Sequence, residues 1–147
     1  MGFHIPHLYE DPFLKISDIK KILEDLASGK LVCSEKIDGI NIFLSYNLEH
    51  KQIRAARNQT ELSWGGLAAE PFLVKFEQKP KLAQTFKRAL DIWKKYCSGL
   101  PENVKRNCFG LGQFYNFEIL DPALPNVIHY DSAGLVLHHN GHIPEQS

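Results

Sequence analysis

The stretch Ser34-Glu35-Lys36-Ile37-Asp38-Gly39-Ile40-Asn41 places an amine beside carboxylates, a glycine and an amide. An apolar run, Leu31 to Cys33, precedes Lys36, and an alternating run, Ile40 to Tyr46, follows it. These two patterns predict that Lys36 lies between two strands. Lysines are commoner on helix faces and loops, so Lys36 is a candidate for chemistry. The alternative is a structural ion pair with Asp38 or Glu118.

The surrounding pattern predicts an α+β fold, with a mostly antiparallel sheet and a few flanking helices in a single domain, 1–147. Ser17 is a good N-cap and Gly29 a good helix end, which bound a first helix. Apolar spacing from Leu82 to Tyr96 predicts a second, amphipathic helix. Strands are expected at 31–36, 40–46, 52–58, 108–110, 113–120, 127–130 and 134–138.

Alternation within these strands assigns faces to the polar residues. Ile40, Ile42, Leu44 and Tyr46 share one side of their strand, so Asn41 points to the other side. Arg57 ends the next strand, where its side chain can converge on Lys36. Arg54 takes that place if the register shifts by one residue. Glu118 follows Phe117 in an aromatic strand, and a buried carboxylate there needs a partner.

Composition limits the partners and the compartment. Lys plus Arg and Asp plus Glu both number 17, so the chain is not basic as a whole. The segment from Lys75 to Arg106, however, contains nine basic and only three acidic residues. Such a bias is compatible either with a nucleic-acid surface or with a solvated helix face. The three cysteines have no metal or redox spacing, and no run is long and apolar enough for a membrane. We therefore expect a cytoplasmic protein with no membrane partner.

The Lys36-x-Asp38-Gly39 motif, with Asn41, Arg57 and Glu118, resembles the covalent nucleotidyltransferase superfamily of ATP-dependent DNA and RNA ligases and capping enzymes. The segment Glu-Lys-Ile-Asp-Gly-Ile-Asn-Ile-Phe, residues 35–43, is most similar to the corresponding motif of bacteriophage-type nick-sealing RNA ligases. The resemblance covers about Leu31 to Glu118. It implies that the chain is the N-terminal portion of an adenylylation domain.

The resemblance implies that Lys36 attacks the α-phosphate of ATP and holds AMP through a phosphoramide bond. It assigns adenine recognition to Glu35, and contacts with ribose and phosphate to Asn41 and Arg57. It also assigns Glu118 to the ribose or to a metal-bound water, with Mg²⁺ as the expected ion. The implied nucleotide-binding set is Glu35, Ile37, Asp38, Gly39, Asn41, Arg57 and Glu118. The implied partners are ATP and a nucleic acid with a 5′-phosphate end, RNA in preference to DNA.

Two features of the family are missing from this sequence. Ala133 stands before Gly134 where the fourth motif of the family has a Glu, and no lysine follows Lys105 to supply the fifth motif. We therefore expect a shortened ligase with reduced activity. The alternative is a non-catalytic module that binds nucleotide or nucleic acid, and a further alternative is guanylyl transfer.

Other candidate sites are weaker. His138, His139 and His142 lack the neighbouring cysteines or carboxylates of a metal site, so we do not expect one there. Gly29-Lys30 is not a phosphate loop, because Glu24 stands where that motif has its first Gly. The oligomeric state leaves no mark in the sequence.

Overall fold

A four-stranded antiparallel sheet carries the core of this computed structural model, which describes residues 10–138. The spatial order of the strands is β2-β1-β3-β4. The strands are β1 (Ile40–Asn47), β2 (Gln52–Ala56), β3 (Tyr115–Leu120) and β4 (Gly134–Leu137). The helices are α1 (Ile16–Ala27), α2 (Gln59–Ser63), α3 (Ala69–Val74), α4 (Pro80–Gly99) and α5 (Glu102–Phe109). This content confirms the predicted α+β class with an antiparallel sheet.

Two compact units divide the described chain. Residues 10–37 form one, called here the N-terminal unit, and residues 38–138 form the other, the sheet unit. The N-terminal unit contains α1, and the sheet unit contains all four strands and the other helices. The expectation of a single domain stays a prediction.

Helix α1 confirms the first predicted helix but not its predicted cap. The helix begins at Ile16, and the Asp18 carboxylate accepts the Lys15 N–H at 2.9 Å, so Lys15 and not Ser17 is the capping residue. At the other end Gly29 adopts a φ of +70°, a conformation that costs glycine little and ends the helix as predicted.

Strand β1 lies between β2 and β3, and its two faces differ as predicted. Ile42, Leu44 and Tyr46 belong to the main core cluster, whereas Asn41 and Ser45 do not. Both neighbours pair with β1 over five residues, which fixes the register across the centre of the sheet. The period-2 pattern of β1 therefore separates the core face from a second face, called here the polar face, which carries Asn41, Ser45 and also the buried Phe43.

Helix α4 confirms the predicted amphipathic helix and is longer at both ends. Its buried side chains include Phe86, Leu90 and Trp93, and each such burial contributes roughly 1.5–3 kcal/mol. The Trp93 ring lies edge-on to Phe117 with 5.1 Å between ring centres. The indole Nε1 donates to the Ser45 carbonyl at 3.0 Å, so this polar group is also satisfied.

Three strand predictions are wrong. Residues 32–38 have no regular secondary structure, and Val32 is fully exposed, so its apolar run buries nothing. Residues 108 and 109 belong to α5, where Phe109 packs on Trp93. The segment 127–130 is irregular because the Asp38 carboxylate, not a neighbouring strand, accepts the Ile128 N–H.

Candidate functional site

Asn41 and Glu118 lie directly opposite each other on the paired strands β1 and β3. Residues opposite each other in an antiparallel pair project to the same face, so both side chains lie on the polar face of the sheet. The Asn41 amide Nδ2 donates to Asn116 Oδ1 at 2.5 Å and lies 3.4 Å from the Phe117 carbonyl. The structure thus brings two of the predicted site residues together and fixes the orientation of one of them.

Glu118 is a buried carboxylate with one free oxygen. Its side chain is 12% exposed, and Oε1 lies 3.2 Å from His138 Nε2. Among residues 10–138, Oε2 has no hydrogen-bond partner. A buried acceptor without a partner is destabilising by roughly 1–3 kcal/mol. A ligand with a hydroxyl donor or a cation would relieve that cost.

Arg57 follows the last residue of β2 and lies close to Asn41. Its guanidinium Nη1 donates to the Asn41 backbone carbonyl, and its Cζ lies 5.1 Å from the centre of the Phe86 ring. Burial lowers the pKa of Arg57, and the Glu118 carboxylate opposes this shift by favouring the charged form. The half-buried guanidinium of Arg57 therefore lies beside Asn41 and interacts electrostatically with the Glu118 carboxylate.

The alternative arginine, Arg54, lies elsewhere. It pairs with Ser45 in the β1–β2 register, and its guanidinium donates to the carbonyls of Gly65 and Gly66 at 3.0 and 2.9 Å. Both arginines are thus held by backbone acceptors, but only Arg57 is bonded to a predicted site residue.

An ion pair that the sequence did not predict lies beside Arg57. Glu61 accepts the Arg57 backbone N–H at 2.8 Å and forms an ion pair with Lys75. Burial lowers the pKa of Lys75, and the nearby Arg57 cation lowers it further. The sequence signal was the spacing Asn58-x-x-Glu61, because Asn58 caps α2 by accepting the Glu61 N–H at 2.9 Å.

Asp38 and Gly39 make structural contacts at the start of the sheet unit. The Asp38 carboxylate accepts from Asn126 Nδ2 and from the Ile128 N–H, both at 2.7 Å, and its own N–H donates to the Tyr130 hydroxyl at 3.1 Å. A Cβ on Gly39 would lie 2.5 Å from the Ile119 carbonyl oxygen. Glycine is therefore required here for the close approach of β1 to β3.

The other predicted residues of the motif, Glu35, Lys36 and Ile37, belong to the N-terminal unit. Their backbone has no regular secondary structure; Glu35 and Lys36 are exposed and Ile37 is half-buried. Their assignment as nucleophile and nucleotide contacts stays a prediction.

Comparison with known proteins finds no relative. No protein-family model, no curated protein and no solved structure matches this chain. Across residues 10–138, no helix has the length and apolar character needed to cross a membrane.

The Mg²⁺ implied by the resemblance fits only one described carboxylate of this group. Within residues 10–138, no cluster of three or more His, Cys, Asp or Glu side chains has the geometry of a metal site. Mg²⁺ often binds through one or two carboxylates together with substrate phosphates, and the free Oε2 of Glu118 suits such a ligand. His138 is paired with Glu118, while His139 and His142 lie outside the described residues.

Proposed function

We propose that this chain is a ligase-like nucleotidyltransferase in which Lys36 accepts AMP from ATP. The observation that carries the proposal is the group formed by Asn41, Arg57 and Glu118. The motif resemblance assigns these residues to one nucleotide. Strand pairing puts Asn41 opposite Glu118, whose Oε2 is free, and the half-buried Arg57 guanidinium donates to the Asn41 backbone carbonyl.

In the proposed reaction the neutral Nζ of Lys36 attacks the α-phosphorus of ATP. The nitrogen–phosphorus bond forms, the bond from the α-phosphorus to the bridging oxygen breaks, and pyrophosphate leaves with the electron pair. The proton that the nitrogen loses passes to solvent. Only about one lysine in a few thousand is neutral at pH 7, so attack requires an environment that favours the free amine.

The remaining residues have roles in binding and charge compensation. The Arg57 guanidinium matches phosphate oxygens in a bidentate geometry, and the free Glu118 oxygen can accept either from a ribose hydroxyl or from a metal-bound water. In the second case Glu118 would help to hold Mg²⁺, which would supply charge neutralisation of the phosphate oxygens.

In an intact enzyme AMP would then pass from Lys36 to the 5′-phosphate of a nucleic acid before nick sealing. RNA is the proposed substrate because the motif is most similar to bacteriophage-type RNA ligases. A cytoplasmic location is proposed with it, since Cys33, Cys97 and Cys108 are all free thiols.

Incubation with ATP labelled at the α-phosphate, in the presence of Mg²⁺, tests the covalent step. The wild-type chain should keep the label after denaturation and lose it in acid, which cleaves a phosphoramide bond. Lys36→Ala should carry no label, whereas Lys30→Ala, which removes another exposed lysine of the N-terminal unit, should be labelled normally.

Three outcomes would contradict the proposal. Absence of label on the wild-type chain excludes the covalent step, and saturable ATP binding in that case favours a nucleotide-binding module. Equal labelling of Lys36→Ala excludes Lys36 as the nucleophile. Labelling from GTP but not from ATP favours guanylyl transfer.

A pair of arginine variants tests the group on the sheet. Arg57→Lys keeps the charge but loses the bidentate fork, so we expect labelling to be roughly tenfold slower. Arg54→Lys makes the same chemical change at the arginine held by Gly65 and Gly66, and should label at the wild-type rate. Equal rates for both variants would argue against a role for Arg57 in nucleotide binding.

A further inference from the structure

The exposed face of α4 is strongly basic although the chain has a net charge of +0. The helix buries one stripe against the sheet and leaves the other to solvent. Asp91 is the acidic residue on the solvent side. The basic residues on the exposed side are Lys81, Lys87, Arg88, Lys94 and Lys95.

Most of these cations are available to a partner. Within residues 10–138, no ion pair or hydrogen bond involves the side-chain ammonium group of Lys81, Lys87, Lys94 or Lys95. Only Arg88 is paired, with Asp121 Oδ2 at 3.4 Å. From Lys81 to Lys95 the lysines span about 21 Å along the helix, because an α-helix rises about 1.5 Å per residue. A surface of this length and charge suits a polyanion with regularly spaced phosphates.

An exposed aromatic ring lies at the edge of this basic face. Tyr96 is 58% exposed and stacks on Trp93 with 5.5 Å between ring centres and 22° between ring planes. Residues four apart on a helix follow one row, so Tyr96 continues the row of Arg88 and Ile92. Because Trp93 is buried, it holds the tyrosine ring in place from one side.

We propose that this face of α4 binds single-stranded nucleic acid, with phosphates on the lysines and a base stacked on Tyr96. Basic grooves with aromatic rings are the usual means of binding single strands, because an unpaired base exposes its π face. The inference rests on the proposed function, since the surface would hold a single-stranded segment of the nucleic acid that receives AMP. Binding is measured without ATP, so the two proposals can fail separately.

The first test is the affinity of a fluorescent, 5′-phosphorylated single-stranded oligonucleotide, measured by anisotropy over a range of salt concentrations. The triple change Lys87→Gln, Lys94→Gln and Lys95→Gln should weaken binding at least tenfold. It should also reduce the dependence of log affinity on log salt concentration by about two, at roughly 0.7 per phosphate contact. Glutamine is a good helix former, so α4 should persist, which circular dichroism checks.

A matched triple variant controls for the loss of charge. Lys20→Gln, Lys21→Gln and Lys30→Gln remove the same charge from exposed positions of the N-terminal unit and should bind like the wild-type chain. Equal weakening by both triple variants, or no binding by the wild-type chain, would overturn the proposal.

The second test addresses the stacked base. Tyr96→Ala should weaken binding roughly tenfold without changing the salt dependence, because stacking releases no counterions. A duplex of the same length should compete poorly. Unchanged affinity of Tyr96→Ala, or equally tight binding of the duplex, would overturn the single-strand assignment. RNA and DNA oligonucleotides of one sequence, run in parallel, identify which single strand is preferred.

Discussion

Asp38 and Gly39 belong to the motif that suggested nucleotide chemistry, yet both also make contacts that the fold requires. Both Asp38 carboxylate oxygens accept hydrogen bonds from the segment 126–128, and its amide donates to Tyr130. A nucleotide contact through the Asp38 side chain would compete with these bonds. At this pair of residues, then, the motif also has a structural role: it ties the start of the sheet unit to the segment between β3 and β4.

Replacement of Asp38 measures that role. Asp38→Ala removes the acceptor for the Ile128 N–H and for Asn126, and should lower the free energy of unfolding by about 1–2 kcal/mol. Urea unfolding of this variant beside Asp131→Ala, which removes an exposed carboxylate from the same unit, provides the comparison. Equal stability of the two variants would show that the Asp38 contacts contribute nothing.

Gly39 allows a second prediction for a single residue. Gly39→Ala places a Cβ 2.5 Å from the backbone oxygen of Ile119, so β1 and β3 must separate locally. We expect a loss of about 1–3 kcal/mol in the free energy of unfolding, the usual range for overpacking. A Cβ on Gly134, by contrast, meets no atom within 4 Å, so Gly134→Ala should change stability by less than about 0.5 kcal/mol. The prediction is wrong if both variants unfold at the same urea concentration.

Between elements, the contact of α4 with the end of β3 depends on one buried carboxylate. Asp121 follows β3, and its Oδ2 accepts from the Thr85 hydroxyl of α4 at 2.5 Å. Its Oδ1 accepts the Ala123 N–H at 2.9 Å. The Thr85 hydrogen bond is the main cause that lowers the pKa of Asp121 from its usual 3.8, and burial opposes it. The charged carboxylate thus stabilises the packing of α4.

The pH dependence of stability tests this contact. Because the folded pKa is lowered, the stabilisation is fully present above about pH 4 and disappears as the pH falls through the folded value. Thr85→Val should therefore be less stable than the wild-type chain near neutral pH, and the difference in free energy of unfolding should narrow as the pH falls below about 4. Urea unfolding across this range measures the gap, with Thr60→Val as the exposed control. A gap independent of pH would assign the loss to packing instead.

For the whole molecule, the apolar core belongs to one unit. Every buried hydrophobic residue among those described lies between Ile42 and Ile119, inside the sheet unit. Helix α1 has no buried residue. The sheet unit therefore has the core that a stable domain needs, while Lys36 belongs to the other unit.

A chain that begins at Asp38 tests this division. It should unfold cooperatively in urea and keep the near-ultraviolet circular dichroism of the buried Trp93, because it keeps the whole described core. It should not be labelled by ATP, since it lacks Lys36. A non-cooperative transition would show that the first 37 residues are needed for the core to form.

The sequence by itself determined the faces of β1 and α4, because periods of 2 and 3.6 residues are local properties of the chain. It also singled out Asn41, Arg57 and Glu118 by type, although not their mutual contacts. The same local reasoning failed at 31–36 and 127–130, where apolar runs resemble strands but have no strand partner.

Only the tertiary structure decided which distant residues meet. The register of β1 against β3 put Asn41 opposite Glu118. Just beyond the end of β2, the Arg57 guanidinium donates to the Asn41 backbone carbonyl, whereas Arg54 donates to Gly65 and Gly66. A shift of one residue would have reversed these faces, and no local pattern specifies which strands become neighbours. The structural role of Asp38, in addition to its place in the motif, was also decided by the tertiary structure, because its hydrogen-bond partners lie about ninety residues further along the chain.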